Sequence, residues 1–143
     1  MPRGARQLPA ECLRRLEAAD LILHAGDFVA AEFYAELRRI GRVEAVRGNM
    51  DDKRLQAALP ATQIVEVEEA RIGLVHDPRG LAGLTGCGAL IYGHTHRPEV
   101  RSQDGVWVLN PGSPTERRRS PVRSMMVLEV DGESVAPKLV PLT

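Results

Sequence analysis

The most informative segment of the chain is Leu90-Ile91-Tyr92-Gly93-His94-Thr95-His96, in which an apolar, β-prone run leads into two histidines one residue apart. The whole chain contains only four histidines. Side chains alternate between the two faces of an extended segment, so His94 and His96 are predicted to point to the same side of a sheet edge. Two imidazoles on one side are typical of a metal site. A lone His-x-His pair also arises by chance on a protein surface, so we predict a metal centre at the end of this strand only together with the further ligands described below.

Composition and charge exclude several functional classes. The chain has 143 residues, and we predict a single domain over residues 1–143. Its 19 Lys and Arg residues balance its 19 Asp and Glu residues, so no net charge favours nucleic acid or an anionic membrane. The sequence contains no predicted transmembrane run and no signal peptide. Cys12 and Cys87 lie far apart in predicted helical segments, which favours free core thiols in the cytoplasm over a disulfide.

Apolar periodicity and turn residues predict alternating strands and helices up to Pro60 and a mostly antiparallel arrangement after it. Helices are predicted for residues 8–19, 29–40 and 51–59, with a further helical stretch over 79–89. Strands are predicted for residues 21–24, 43–46, 63–68, 71–75, 99–101, 106–109, 125–130 and 134–140, together with the strand that leads into His94. This order of elements indicates an α/β fold.

Polar side chains that suit a metal follow one predicted strand after another. They are Asp27, Asn49, His76 and the pair His94 and His96. In α/β sheets, ligands bind where the loops at the carboxyl ends of the strands converge. Asp27 and Asn49 taken singly fit ordinary turn residues beside glycine, but the set favours metal ligands. Imidazole nitrogens with carboxylate and amide oxygens suit divalent zinc, manganese, iron, nickel or cobalt.

Taken in order, these motifs resemble those of the calcineurin-like metallophosphoesterases, and of the small prokaryotic phosphodiesterase group in particular. The matching segments are Gly26-Asp27, Gly48-Asn49, the strand-terminal His76 and Gly93-His94-Thr95-His96, with residues 23–28, 47–51 and 109–114 agreeing almost word for word. The resemblance covers the whole chain. It implies a four-layer α/β/β/α sandwich with a dinuclear metal site at one sheet edge.

The same resemblance implies a role for each ligand. Asp27 would bridge two metals, Asn49, His76 and His94 would complete one metal site, and His96 would belong to the other. The expected activity is hydrolysis of a small phosphodiester by a metal-bound hydroxide, with manganese, nickel, zinc or iron as the cofactor. Catalytic side chains and substrate-binding residues remain unassigned, and so does the choice between a monomer and a homo-oligomer.

The chain departs from the family pattern at its beginning. The family's first strand ends in Asp-x-His, which supplies two ligands to one metal, and this sequence contains no such strand or motif. We expect a chain whose N-terminus is incomplete, through a start site assigned at an internal methionine, or a natural deletion. The expected consequence is one tightly bound metal, weakened hydrolysis and aggregation through unpaired strands.

Two further departures concern the active-site imidazoles. Met50 stands where wider relatives have the histidine that protonates the leaving group, which favours activated leaving groups. Asp77 and Pro78 follow His76 where others have Gly-His, so a further imidazole is missing.

Several candidates remain open. His24 is predicted to be a packed or hydrogen-bonded histidine, and residues 110–112 a structural turn. The arginines at 117–119, with Arg123 after them, are read mainly as a solvated loop and only secondarily as a phosphate site, for which Arg97 is the better-placed cation. The rival function is a non-catalytic interaction module, since the retromer complex contains a scaffold subunit of this fold. A structural zinc domain fits worse, because such sites are usually rich in cysteine.

Overall fold

The computed structural model describes residues 8–26, 31–48, 53–95, 97–113 and 123–142. The helices are α1 (Ala10–Ala18), α2 (Ala31–Ile40) and α3 (Lys53–Ala58), and a 3-10 helix spans Pro78–Gly83. The strands are β1 (Ile22–His24), β2 (Val43–Ala45), β3 (Thr62–Val67), β4 (Ala70–Val75), β5 (Ala89–Ile91), β6 (Glu99–Gln103), β7 (Val106–Asn110), β8 (Arg123–Asp131) and β9 (Ser134–Leu142).

The described strands form three hydrogen-bonded groups. β1 and β2 are parallel, with Leu23 opposite Glu44. Five strands form a mixed sheet in the order β3-β4-β5-β7-β6, in which β4, β5 and β7 are parallel neighbours and the two edge strands are antiparallel to theirs. β8 and β9 form an antiparallel hairpin. The expectation of a mostly antiparallel second half is therefore only partly right, because the centre of the five-stranded sheet is parallel.

Two hydrophobic cores show how these groups are layered. Successive residues of the hairpin face opposite ways: Met125 packs on the core that holds buried Cys12 and Leu37 of the helices, whereas Met126 packs on the core that holds Ile72 of the five-stranded sheet. The parallel pair also has residues in both cores, since Ala45 belongs to the first core and Val46 to the second. The hairpin and the parallel pair therefore both lie between the helices and the five-stranded sheet.

The outer face of the five-stranded sheet carries a smaller third core. Val75, Tyr92 and Val108 are buried there, and Leu81 and Leu84 pack against them from the segment after β4. Helices, strand pairs, five-stranded sheet and this outer segment together form four layers, which confirms the predicted α/β fold of the α/β/β/α type. Within the described part of the chain, no helix is long and apolar enough to cross a membrane.

The helix expected over residues 79–89 is wrong. A 3-10 helix replaces it and ends at Gly83, and Gly86 adopts a left-handed φ of 74°. Glycine at positions 80, 83, 86 and 88 makes a longer helix unfavourable, since each costs about 1 kcal/mol relative to alanine. Cys87 consequently lies in the loop before β5, although both cysteines are free and buried as predicted.

Gly112 offers a test of how tightly the end of β7 packs on β8. Its φ is 75°, and a Cβ at this position would overlap the hydroxyl oxygen of the fully buried Ser124. Gly105 has a similar φ of 78° but nothing within 4 Å of the added carbon. We expect Gly105→Ala to lower the free energy of unfolding by about 1 kcal/mol, from backbone strain alone. Gly112→Ala should cost about 3 kcal/mol, because steric overlap adds to that strain.

Urea denaturation of the two variants measures this difference. Equal losses in the two proteins would contradict the close packing of Gly112 against Ser124.

Candidate metal centre

The structure describes two of the five predicted ligands. His76 lies directly after β4, and His94 lies in the turn after β5, so the two histidines follow neighbouring parallel strands. Asp27, Asn49 and His96 lie outside the described residues, as does the arginine run at 117–119. The backbone that leads to Asp27 and Asn49 is described as far as Gly26 and Gly48. The site is therefore built from the two histidines and from these two approaching strand ends.

The imidazole of His76 is buried, with only 4% of the residue exposed. Its Nδ1 lies 2.8 Å from the carbonyl oxygen of Ala25, at the end of β1. A carbonyl oxygen only accepts hydrogen bonds, so Nδ1 carries a proton and donates. In the neutral ring, Nε2 then keeps its lone pair. A backbone carbonyl that fixes the tautomer in this way is a common partner of metal-binding histidines.

Glycines let two strand ends approach this ring. A Cβ added to Gly26 would lie 2.9 Å from Nδ1 of His76 and 2.8 Å from the backbone nitrogen of Gly48. A Cβ added to Gly93 would lie 3.3 Å from the same Nδ1 and 3.2 Å from the carbonyl oxygen of Ala25. Any larger residue would push the strand ends apart. The close packing around His76 thus favours glycine at the two positions that precede Asp27 and His94 in the sequence.

His24 supports the turn at Gly26. Its Nδ1 accepts a hydrogen bond of 3.1 Å from the backbone N–H of Gly26, where φ is 100°. The prediction of a hydrogen-bonded histidine is confirmed.

His94 does not adopt the extended conformation that the sequence suggested. β5 ends at Ile91, and His94 has a left-handed φ of 68°. The assumption that His94 and His96 alternate as in a strand is therefore wrong at His94. The left-handed turn brings its ring 5.2 Å from that of His76, centroid to centroid, at an interplanar angle of 86°.

The spacing of the two rings fits a shared metal ion. Two imidazoles bound at ~2.1 Å, at tetrahedral or octahedral angles, have centroids about 4.6–5.3 Å apart. The observed 5.2 Å lies in that range. The described residues alone contain no group of three His, Cys, Asp or Glu side chains suited to a metal, so a complete ligand set needs residues beyond them.

Asn110, which the sequence predicted only as part of a turn, contributes to the candidate site. It is fully buried at the end of β7, and its Nδ2 donates to the carbonyl oxygen of Gly93 at 3.2 Å and to Oγ1 of Thr95 at 3.1 Å. Its Oδ1 accepts from the backbone N–H of Gly112 at 2.9 Å. Asn110 thus binds both residues that flank His94. Its place before Pro-Gly at a strand end suggested only a turn, and no sequence signal pointed across to residues 93–95.

Two polar pairs lie close to the histidines in the sequence: Asp77 with Arg79, and Tyr92 with Glu99. Asp77 accepts hydrogen bonds from the backbone N–H of Arg79 at 2.9 Å and from its Nε at 3.1 Å. The side-chain hydrogen bonds from Arg79, more than any other contact, hold the pKa of the Asp77 carboxyl well below its usual range. In the other pair, burial and then the 2.7 Å hydrogen bond to Glu99 raise the pKa of Tyr92 to about 12, so its hydroxyl stays a donor.

A cleft of about 520 Å³ opens beside His76. It lies between α3 and the ends of β2 and β4, and the polar residues Arg47, Gln56 and Asp77 are among those that line it. Its size is in the range of small-molecule sites. No sequence pattern had indicated it.

Comparison with known proteins gives consistent results. A family model for the calcineurin-like phosphoesterase superfamily domain matches residues 4–133. The probable metallophosphoesterase of Methanothermobacter thermautotrophicus is 37% identical over 150 residues, which cover 98% of this chain and 86% of that protein. The phosphodiesterase YfcE of Escherichia coli strain K12 is 38% identical over 81 residues, which cover 50% of this chain and 44% of that protein.

Solved structures agree with the fold. The crystal structure of wild-type Vps29 from Entamoeba histolytica in complex with zinc aligns with a TM-score of 0.74 and 28% sequence identity. The alignment covers 99% of this chain and 93% of that one.

The hydrogen bonds of Asn110 predict a graded loss of stability. Asn110→Ala removes all three bonds and leaves the carbonyl of Gly93 and the N–H of Gly112 without this partner, so we expect a loss of about 2–4 kcal/mol in the free energy of unfolding. Thr95→Val removes one hydroxyl and should cost about 1 kcal/mol. Chemical denaturation of the metal-free proteins measures both values. A loss in Asn110→Ala no larger than in Thr95→Val would contradict the role given to Asn110.

Proposed function

Because this chain belongs to the calcineurin-like phosphoesterase superfamily, we propose that it is a metal-dependent phosphoesterase that hydrolyses phosphodiesters. The observation that carries the proposal is the His76–His94 pair, whose rings lie 5.2 Å apart at the ends of neighbouring strands. One solved relative, Vps29 of Entamoeba histolytica, is described as a zinc complex. The homologous phosphodiesterase of Escherichia coli supports the substrate class.

We assign the ligands by their place in the chain. Asp27, Asn49, His76 and His94 are proposed to hold one divalent ion, and His96 together with the bridging Asp27 to hold a second. When bound, such an ion acts as a Lewis acid on the phosphoryl oxygen and lowers the pKa of a water molecule. Manganese, nickel, zinc and iron all suit this set of nitrogen and oxygen donors.

The chain's own residues prepare the site in two ways. The carbonyl oxygen of Ala25 accepts from Nδ1 of His76 at 2.8 Å, so that Nε2 offers its lone pair without any reorganisation. The hydrogen bonds from Asn110 fix the turn that carries His94. The ring of His76 and the turn that carries His94 are thereby held in place before an ion binds, which lowers the entropic cost of binding.

The substrate is proposed to be a small diester with a good leaving group. Met50 replaces the histidine that protonates the leaving group in wider relatives. An aryl oxide with a low pKa leaves without such a proton. The two free thiols fit the reducing cytoplasm, which we propose as the location of the protein.

Hydrolysis of bis(4-nitrophenyl) phosphate with added manganese tests the activity. We expect a rate above background that chelation abolishes, and that falls by at least about a hundredfold in both His76→Ala and His94→Ala. Activity that survives chelation, or that is unchanged in both variants, would contradict the proposal. Folded wild-type protein with no metal-dependent rate would favour the rival function of an interaction scaffold.

Metal content tests the ligand assignment independently of turnover. We expect the 143-residue chain to retain one ion after dialysis. Four of the proposed ligands bind the first ion, whereas His96 is the one proposed ligand that binds the second ion alone. His76→Ala and His94→Ala should each lose that ion, whereas His24→Asn should retain it, since an amide oxygen can still accept from Gly26. Metal analysis of the dialysed proteins decides this, and two tightly retained ions would refute the assignment.

A further inference from the structure

Within the described part of the chain, the cleft beside His76 is lined by one arginine that no described carboxylate neutralises. Among its described lining residues, Arg47 and Asp77 are the two with a formal charge at neutral pH. Asp77 is already bonded through both carboxylate oxygens to the guanidinium of Arg79. Arg47 is exposed, and the structure gives its guanidinium no carboxylate partner among the described residues. Among the described lining residues, the charge at the end where Arg47 lies is therefore positive, which suits an anionic ligand.

The backbone of Arg47 is fixed relative to the metal site. Its N–H donates to the carbonyl oxygen of Pro60 at 2.9 Å, and the preceding residue, Val46, is fully buried. A Cβ added to Gly26 would lie 2.8 Å from the backbone nitrogen of Gly48, the residue after Arg47, and 2.9 Å from Nδ1 of His76. Arg47 thus follows a strand end that lies beside Gly26, and it lines the same cleft as His76.

The geometry points to this cleft as the binding site of a phosphodiester, with the guanidinium of Arg47 on a non-bridging phosphoryl oxygen and the cleft around the ester group that stays on phosphorus. This inference rests on the proposed function and names the substrate class: diesters whose retained group has the size of an aryl ring or a nucleoside. Arginine binds phosphoryl oxygens with a planar, bidentate fork of N–H donors. A volume of about 520 Å³ exceeds what a methyl ester needs and leaves room for a ring.

The charge of Arg47 is tested by Arg47→Gln in the full 143-residue chain. The matched control is Arg42→Gln, which removes an exposed arginine that pairs with Glu44 on the same strand, outside the lining of the cleft. With bis(4-nitrophenyl) phosphate and manganese, we expect KM to rise at least about tenfold in Arg47→Gln and to stay within about twofold in the control. Equal values in the two variants would overturn the role of Arg47.

The volume of the cleft is tested by Ala61→Trp, which adds an indole at its exposed rim, with Ala82→Trp in the 3-10 helix as the control outside it. Bis(4-nitrophenyl) phosphate and methyl 4-nitrophenyl phosphate share a leaving group and differ in the retained ester. We expect Ala61→Trp to raise KM for the bis-aryl diester at least about tenfold while KM for the methyl diester stays within about threefold. A parallel change for both substrates would overturn the assignment of the cleft.

Binding of inorganic phosphate, measured calorimetrically in the presence of manganese, separates this inference from the proposed function. If wild-type protein hydrolyses neither diester, the proposed function fails, yet phosphate should still bind at least about tenfold more weakly to Arg47→Gln than to Arg42→Gln. Equal phosphate affinity in these two variants would overturn the inference even in an active enzyme.

Discussion

The convergence of three strand ends on the ring of His76 is the constraint on which the candidate site depends. β1 belongs to one layer of strands and β4 and β5 to the other, and the two layers meet where Ala25, Gly26 and Gly93 contact this imidazole. A single Cβ at either glycine would come within 3.3 Å of Nδ1. The imidazole of His76 therefore lies between the two strand layers. The lack of a side chain at Gly26 and Gly93 determines how closely the layers approach each other there.

The second histidine is held by a different balance of energies. A left-handed φ at a residue other than glycine costs roughly 1–2 kcal/mol, and His94 pays this cost with a φ of 68°. The buried amide of Asn110 contributes two donated hydrogen bonds to the flanking residues, each worth about 1 kcal/mol net. These two contributions are of similar size and opposite sign, and Asn110 also fixes one conformation of the turn. The backbone strain is therefore located at His94, where the left-handed turn brings the imidazole close to that of His76.

The sequence predicted the fold and the meeting of His76 and His94, because strand ends and the order of motifs depend on local patterns. It failed at three places. The 79–89 segment has apolar residues at helical spacing, yet its four glycines remove the helix, and Leu81 and Leu84 cover the outer core from a 3-10 turn and a loop instead. Asn110 was predicted as a turn former, because its partners in the 93–95 turn are distant in sequence. Arg47 lies in a segment that resembles the family, but the sequence assigned it no role, since a charged side chain at a strand end is ordinary until the cleft beside it is known.

The proposed ligands come from both strand layers, which links metal binding to the packing between them. Asp27 and Asn49 follow β1 and β2, and His76 and His94 follow β4 and β5, so the set assembles only when the second core, with Val46 and Leu74 fully buried, brings the layers together. An ion that binds this assembled state and not the unfolded chain stabilises it by mass action, by about 2.7 kcal/mol at a hundredfold excess over Kd. Metal affinity and the packing of the cores are therefore linked. An ion bound across the two layers opposes their separation, and weaker packing of the layers lowers the apparent affinity for the ion.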